Sequence, residues 1–128
     1  MLHHAPQGAP FVLVVEDEAL VRMTLVDVLD DAGFNVIEAI HADDALQALQ
    51  SAPDIQAIVT DVEMPRGSIN GFELARRVRA DRQDIGILIV SGRVAPKQRE
   101  LPERALFIGK PVDPQTLVRL LNSVLHSA

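Results

Sequence analysis

Four apolar runs, each ending abruptly in polar or turn-forming residues, set the pattern of this chain. Phe11-Val12-Leu13-Val14-Val15 runs into Glu16-Asp17, and Ile58-Val59-Thr60 into Asp61, with Met64-Pro65 just behind. Ile87-Leu88-Ile89-Val90 runs into Ser91-Gly92, and Ala105-Leu106-Phe107-Ile108 into Gly109-Lys110-Pro111. The β-branched run into Asp61 predicts a buried strand, the uniformly apolar Phe11 to Val15 a central parallel strand covered on both faces, and the other two runs are strand-like in the same way. Asn35 to Ala39 predicts a fifth, shorter strand, and the run through Asp61 begins at Ile55 once Pro53 has broken the preceding segment.

Between the strands the apolar residues recur at helical spacing. Leu20, Met23, Leu25, Val28, Leu29 and Ala32 predict an amphipathic helix over Ala19 to Ala32, which Gly33 ends. His41 or Ala42 to Ser51 predicts a second helix that buries Ala45, Leu46 and Leu49, with Asp43 and Asp44 in the first turn, where the helix dipole favours acids. A third runs from Gly71 or Phe72 to Ala80, burying Phe72, Ala75 and Val78 and leaving Arg76, Arg77 and Arg79 mainly on the wet side. The last spans Pro114 to about His126, with Asp113 as N-cap and Pro114 at the first helical position. In the fourth of five helical slots, Arg93 to Leu101 has only Val94, Ala95 and Leu101 to bury, and Pro96 and Pro102 interrupt it. A short or disordered fourth helix, at most a turn or two, is expected there.

Strands alternating with helices predict an α/β fold with a doubly wound, five-stranded parallel sheet. Such sheets keep their chemistry at the carboxyl edge of the strands. If the strands are adjacent, Glu16, Asp17, Asp61, Ser91 and Lys110 converge on one pocket there.

The length, 128 residues with 48% hydrophobic, is that of one domain with one core. Residues 1–10, with Pro6, Gly8 and Pro10, are expected to form a flexible tail ahead of a domain over 11–128. A net charge of -6 argues against a nucleic-acid surface, which needs clustered Lys and Arg. No apolar run approaches membrane-spanning length, and the head lacks the basic start and apolar core of a signal peptide. The absence of Cys excludes disulfides and thiolate metal sites and suits a cytoplasmic protein.

Carboxylates brought from two strand ends into one pocket repel one another unless a cation lies between them. A hard ion such as Mg²⁺, which prefers oxygen ligands, resolves the conflict. Asp61 is then free to act as a carboxylate nucleophile toward phosphorus, with Lys110 as the positive charge beside the transferred group and Ser91 as a hydrogen-bond donor to it.

Taken in order, the acidic pair, the Asp with Met-Pro behind it, the Ser-Gly and the Lys-Pro resemble the response-regulator receiver family of two-component signalling over roughly Phe11 to Leu125. The resemblance implies a flavodoxin-like receiver fold in which Asp61 is the phospho-acceptor. It makes Asp17 a direct Mg²⁺ ligand, Glu16 the companion acid acting through water, and Glu63 the residue whose backbone carbonyl completes the metal site. Ser91 and Lys110 match the groups that grip the phosphoryl, Phe107 matches the aromatic whose rotation accompanies activation, and the Lys110-Pro111 bond is implied to be cis. The implied reaction is transfer from a phosphohistidine on a sensor histidine kinase or phosphotransfer protein, followed by slow hydrolysis. The chain is then no enzyme beyond its own phosphorylation and dephosphorylation, and a single-domain receiver of this kind signals by contact with a downstream protein whose identity is open.

Three features depart from the family pattern. Glu16 stands where Asp is common, the Asp61 to Gly71 segment carries two extra residues so that Arg66 to Ile69 should bulge, and the Ser91 to Lys110 segment is shortened at the face many transcription-factor receivers use to dimerise. Three alternatives stay open. One is a Mg²⁺-dependent, aspartyl-phosphate type of phosphatase or other hydrolase, with Glu63 as its second acid but no sequence to build a substrate cap. Another is a phosphorelay intermediate without its own output. The third is a degenerate receiver used only for interaction, which intact Asp17, Asp61, Ser91 and Lys110 count against.

Overall fold

The computed structural model describes residues 8–52, 54–65, 67–92 and 101–126. Strand and helix alternate as β1 (Phe11–Val15), α1 (Ala19–Asp31), β2 (Asn35–Ala39), α2 (Ala42–Ser51), β3 (Ile55–Asp61), α3 (Gly71–Asp81), β4 (Gly86–Ser91), β5 (Ala105–Gly109) and α4 (Pro114–Leu125). The strands pair in parallel in the order β2-β1-β3-β4-β5. This is the doubly wound, flavodoxin-like sheet, and its strand order reverses between β1 and β3. The fourth helical slot falls on residues 93–100, outside the described residues, as do Arg66 and residues 1–7 of the expected tail. Ala9 and Pro10 each accept a hydrogen bond from Asn35 at the start of β2, at 3.0 Å.

Successive side chains on each strand point to opposite faces, so each uniformly apolar run feeds two cores. Leu13, Val15, Ile58, Ile87 and Ile89 pack toward α2 and α3 with Ala45, Leu74, Ala75 and Val78. Val12, Val14, Val59, Leu88 and Val90 pack toward α1 and α4 with Leu25, Leu29, Leu117 and Leu121. Full burial of a side chain such as Leu13 or Leu121 is worth about 1.5–3 kcal/mol, which is what holds both helical layers on the sheet.

Local chemistry sets the ends. Asn70 caps α3 by accepting from the Glu73 amide at 2.9 Å, and Asp113 caps α4 by accepting from the Thr116 amide at 2.9 Å. Gly33 takes a positive φ of 94° after α1, a conformation that favours glycine. Among the described residues no helix is long and apolar enough to cross a membrane.

Two expectations need correction. Leu20 and Met23 are exposed, at 79% and 56%, rather than part of the buried face of α1. At about 100° per residue they lie about 140° and 160° around the helix from Leu25, so they face away from Leu25 and Leu29. Arg79 is buried rather than on the wet side of α3. Its guanidinium donates to the backbone carbonyls of Ile85 at 2.7 Å, Glu103 at 2.9 Å, and Arg82 and Gln83 at 3.2 Å. A buried charge is tolerated when its donors are matched by acceptors, and here four carbonyl dipoles tie the end of α3 to the approaches of β4 and β5.

Candidate functional site

The parallel register brings the carboxyl ends of β1, β3, β4 and β5 level with one another. Val15 lies opposite Thr60, Asp61 opposite Val90 and Ser91 opposite Gly109. The residues just past each strand therefore meet at one edge. Asp17, Glu18, Val21, Asp61, Glu63, Pro65, Ser91, Gly92 and Lys110 line a cavity of about 410 Å³.

Within it, Lys110 Nζ stands 3.2 Å from Asp61 Oδ1 and 3.3 Å from Glu16 Oε2. Glu16, Asp17 and Asp61 each offer a carboxylate oxygen, all within 4.8 Å of one another, a spacing that can hold a metal ion. Crowding and burial leave their mark on the protonation of the site. Enclosure, then the Asp61 charge, raises the Glu16 pKa from 4.5 to about 7, against the lowering effect of the Glu18 amide at 3.2 Å and of Lys110. Burial likewise raises Asp61, with Lys110 opposing it. Burial alone would depress Lys110, but the Asp61 and Glu16 charges outweigh it and hold the ammonium above its usual range. Burial makes the charged forms of Glu16 and Asp61 costly, and a cation between the carboxylates would offset that cost.

The turn carrying Glu16 and Asp17 is tied to β2 and to α1, and the Arg22 that ties it to α1 is itself held by β2. The Glu16 amide donates to Ala39 O at 3.1 Å, Arg22 Nη1 donates to Glu16 O at 2.9 Å, and Arg22 Nε donates to Glu38 at 3.1 Å. On the far side the Lys110 amide donates to Ser91 O at 2.8 Å, and the Lys110-Pro111 peptide is cis, as the resemblance implies. Ser91 is buried and Phe107 half-buried. Since Phe107 lies opposite Ile89, two residues before Ser91, Phe107 and Ser91 share a face of the sheet.

All seven residues singled out from the sequence thus lie at or beside this edge. Two residues that matter to the geometry were missed. Arg22 reads as an ordinary polar position of α1. Gly71 is pressed against β3, where a Cβ would overlap the Asp61 carbonyl oxygen and stand 2.8 Å from its carbon. In the sequence it stands only as a possible first residue of the third helix.

A family model described as the response regulator receiver domain matches residues 12–122. The chain belongs to the response-regulator receiver domain family. A rice two-component response regulator, ORR5 of Oryza sativa subsp. japonica, is 33% identical over 124 residues, covering 93% of this chain and 91% of the relative. The sensor kinase CckA of Brucella abortus is 34% identical over 123 residues, which are 93% of this receiver but 13% of that kinase. In three dimensions the receiver resembles a response regulator receiver protein from Sinorhizobium medicae, with a TM-score of 0.86 and 25% identity over 94% of this chain and 97% of that one.

Proposed function

We propose that this receiver is a phosphoryl-accepting switch in which Asp61 takes a phosphoryl group from a phosphohistidine on a sensor histidine kinase or phosphotransfer protein. A carboxylate oxygen of Asp61 bonds to phosphorus as the P–N bond breaks, and the imidazole leaves with the electron pair and picks up a proton. Slow hydrolysis of the acyl phosphate then resets the domain. The observation that supports this reading best is the placement of Asp61, half-ringed by acids and 3.2 Å from Lys110, in a cavity open at the sheet edge.

The carboxylates of Glu16, Asp17 and Asp61 and the backbone carbonyl of Glu63 would hold Mg²⁺. When bound it supplies positive charge to the attacking carboxylate and the transferred oxygens. Lys110 takes one phosphoryl oxygen and Ser91 donates to another, and the shared face of Ser91 and Phe107 gives that contact a route to the surface. Leu20 and Met23, exposed on α1 beside the cavity-lining Val21, offer apolar area to the partner that carries the histidine. The chain acts only on its own phosphorylation state, works in the cytoplasm and signals by protein contact.

The test is labelling by acetyl phosphate or a phosphorylated kinase in Mg²⁺, read by mass spectrometry. One phosphoryl group on Asp61 is expected, and Asp61→Asn should abolish it. Phosphate on another residue, or turnover of a phosphomonoester without a stable phosphoprotein, would contradict the assignment.

A further inference from the structure

The β3–α3 loop leans on a part of the molecule outside the two elements it joins. Met64 is buried and Ile69 packs on the same core, while the Gly67 amide closes a turn onto Met64 O at 2.9 Å. Between these anchors the loop meets the start of α2. Ser68 Oγ donates to Asp43 Oδ1 at 2.7 Å, and Gly67 lies so close to His41 that a Cβ there would stand 3.1 Å from the His41 Cβ.

That first turn of α2 is itself well held. Asp44 accepts from the Ile40 amide at 3.3 Å, the His41 ring accepts from the Asp44 amide at 3.4 Å, and Ala42 is fully buried. Just before it, Ala39 O accepts from the Glu16 amide at 3.1 Å. The β2–α2 turn thus touches both halves of the acidic site: the turn carrying Glu16 and Asp17 through Ala39, and the loop carrying Glu63 through His41 and Asp43. Nothing in the strand register requires the second link, since residues 67 and 68 lie off the sheet.

We infer that Ser68 and Asp43 are positioning residues for the metal site, bracing the loop that carries Glu63 against α2 so that Mg²⁺ affinity depends on their hydrogen bond. This rests on the functional reading above. The Ser68 hydroxyl ties the turn that Gly67 closes onto Met64, directly after Glu63, to the first turn of α2, and its loss leaves that turn more conformations to sample although Val62, Met64 and Ile69 stay packed on the core.

The experiment is Mg²⁺ titration of the full chain by calorimetry and by NMR, on wild type, Ser68→Ala, Asp43→Ala and the double variant. Each Ala change should weaken Mg²⁺ binding about three- to tenfold, the range of one hydrogen bond, and the double variant no more than the weaker single. Ser68→Thr and Asp43→Asn, which keep donor and acceptor, should bind within about twofold of wild type, on the same scale. All variants should melt near wild type in EDTA, because both positions are exposed, whereas the Mg²⁺-induced amide shifts at Ala42 and Asp43 should shrink in Ser68→Ala. Ala variants that bind as wild type would overturn the inference while leaving the metal site in place. Asp43→Asn as weak as Asp43→Ala would overturn it too, by assigning the effect to charge. Wild type that takes up no Mg²⁺ would overturn the functional reading and the inference with it.

Discussion

Replacing Glu16 with glutamine isolates the electrostatic consequence of crowding acids at the end of β1. The Glu16 side chain is wholly enclosed, and burial followed by the Asp61 charge lifts its pKa from 4.5 to about 7. An acid raised in the folded state holds its proton more tightly there than in the unfolded chain. Its contribution to metal-free stability is therefore fully present below pH 4.5 and is lost as pH rises through about 7. At 1.36 kcal/mol per pKa unit, that loss is about 3 kcal/mol. The Lys110 contact is already included, because it is among the influences that hold the pKa down.

Glutamine keeps the shape of the protonated side chain and cannot ionise. Glu16→Gln in EDTA at pH 8 is therefore expected to be more stable than wild type by about 3 kcal/mol, or about 10 °C in melting temperature for a domain of this size. At pH 5 the gap should shrink to about 1 kcal/mol or less. Urea unfolding of both proteins at the two pH values measures it, and titrations elsewhere in the chain largely cancel in the comparison. Saturating Mg²⁺ should narrow the gap at pH 8, because it stabilises whichever protein binds it more tightly. A gap of equal size at both pH values, or a wild type more stable than the variant at pH 8 without metal, would refute the reasoning.

Asp17→Ala should weaken Mg²⁺ binding more than Glu16→Ala does, since Asp17 is assigned direct contact; calorimetric titration decides, and equal binding by Asp17→Ala and wild type would misplace the site. Arg79→Ala should lower stability by about 3 kcal/mol in urea unfolding, because it strips the shared donor from four carbonyls and opens space beside Val78. Gly71→Ala should cost about 1–3 kcal/mol by the same assay, because the new methyl group must displace the Asp61 carbonyl or shift α3.

The carboxyl ends of β1 and β4 were readable because a central parallel strand covered on both faces has no polar position to confuse its limit, and the first polar residue marks the sheet edge. Caps at Asp113 and breaks at Gly33 were readable for a similar reason, since one residue type carries the local geometry. Helix faces were harder. Leu20 and Met23 are apolar and near enough to helical spacing to pass as core, and only the position of the sheet relative to Leu25 and Leu29 shows that they point outward. Arg79 misled in the opposite sense. Its position four residues after Ala75, beside Val78, was the available signal, but the carbonyl of Glu103 that makes its burial tolerable comes from 24 residues further on. Gly71 depends on an approach between α3 and β3 that no local pattern encodes.

The constraints around the pocket are uneven, and that bears on where a phosphoryl group could move the protein. On the β1 side the Glu16 carboxylate is wholly enclosed and accepts from the Glu18 amide, and its backbone is held by Ala39 and Arg22. Glu16 cannot retreat without breaking several bonds at once. Lys110 is different: its side chain is 24% exposed, its stem is flexible, and its ammonium is shared almost equally between Glu16 and Asp61, at 3.3 and 3.2 Å. Lys110 stands between Glu16 and Asp61, so further negative charge at Asp61 draws Lys110 away from Glu16 rather than drawing the tightly held Glu16 inward. The Lys110 amide is bonded to the Ser91 carbonyl, which couples that shift to the end of β4. Phe107, on the same face and only half-buried, is less enclosed than Val12 to Val15 of β1, which are fully buried. The side of the pocket formed by β4 and β5 is therefore where displacement is least opposed, and a partner that distinguishes the two states has most to gain by reading that edge.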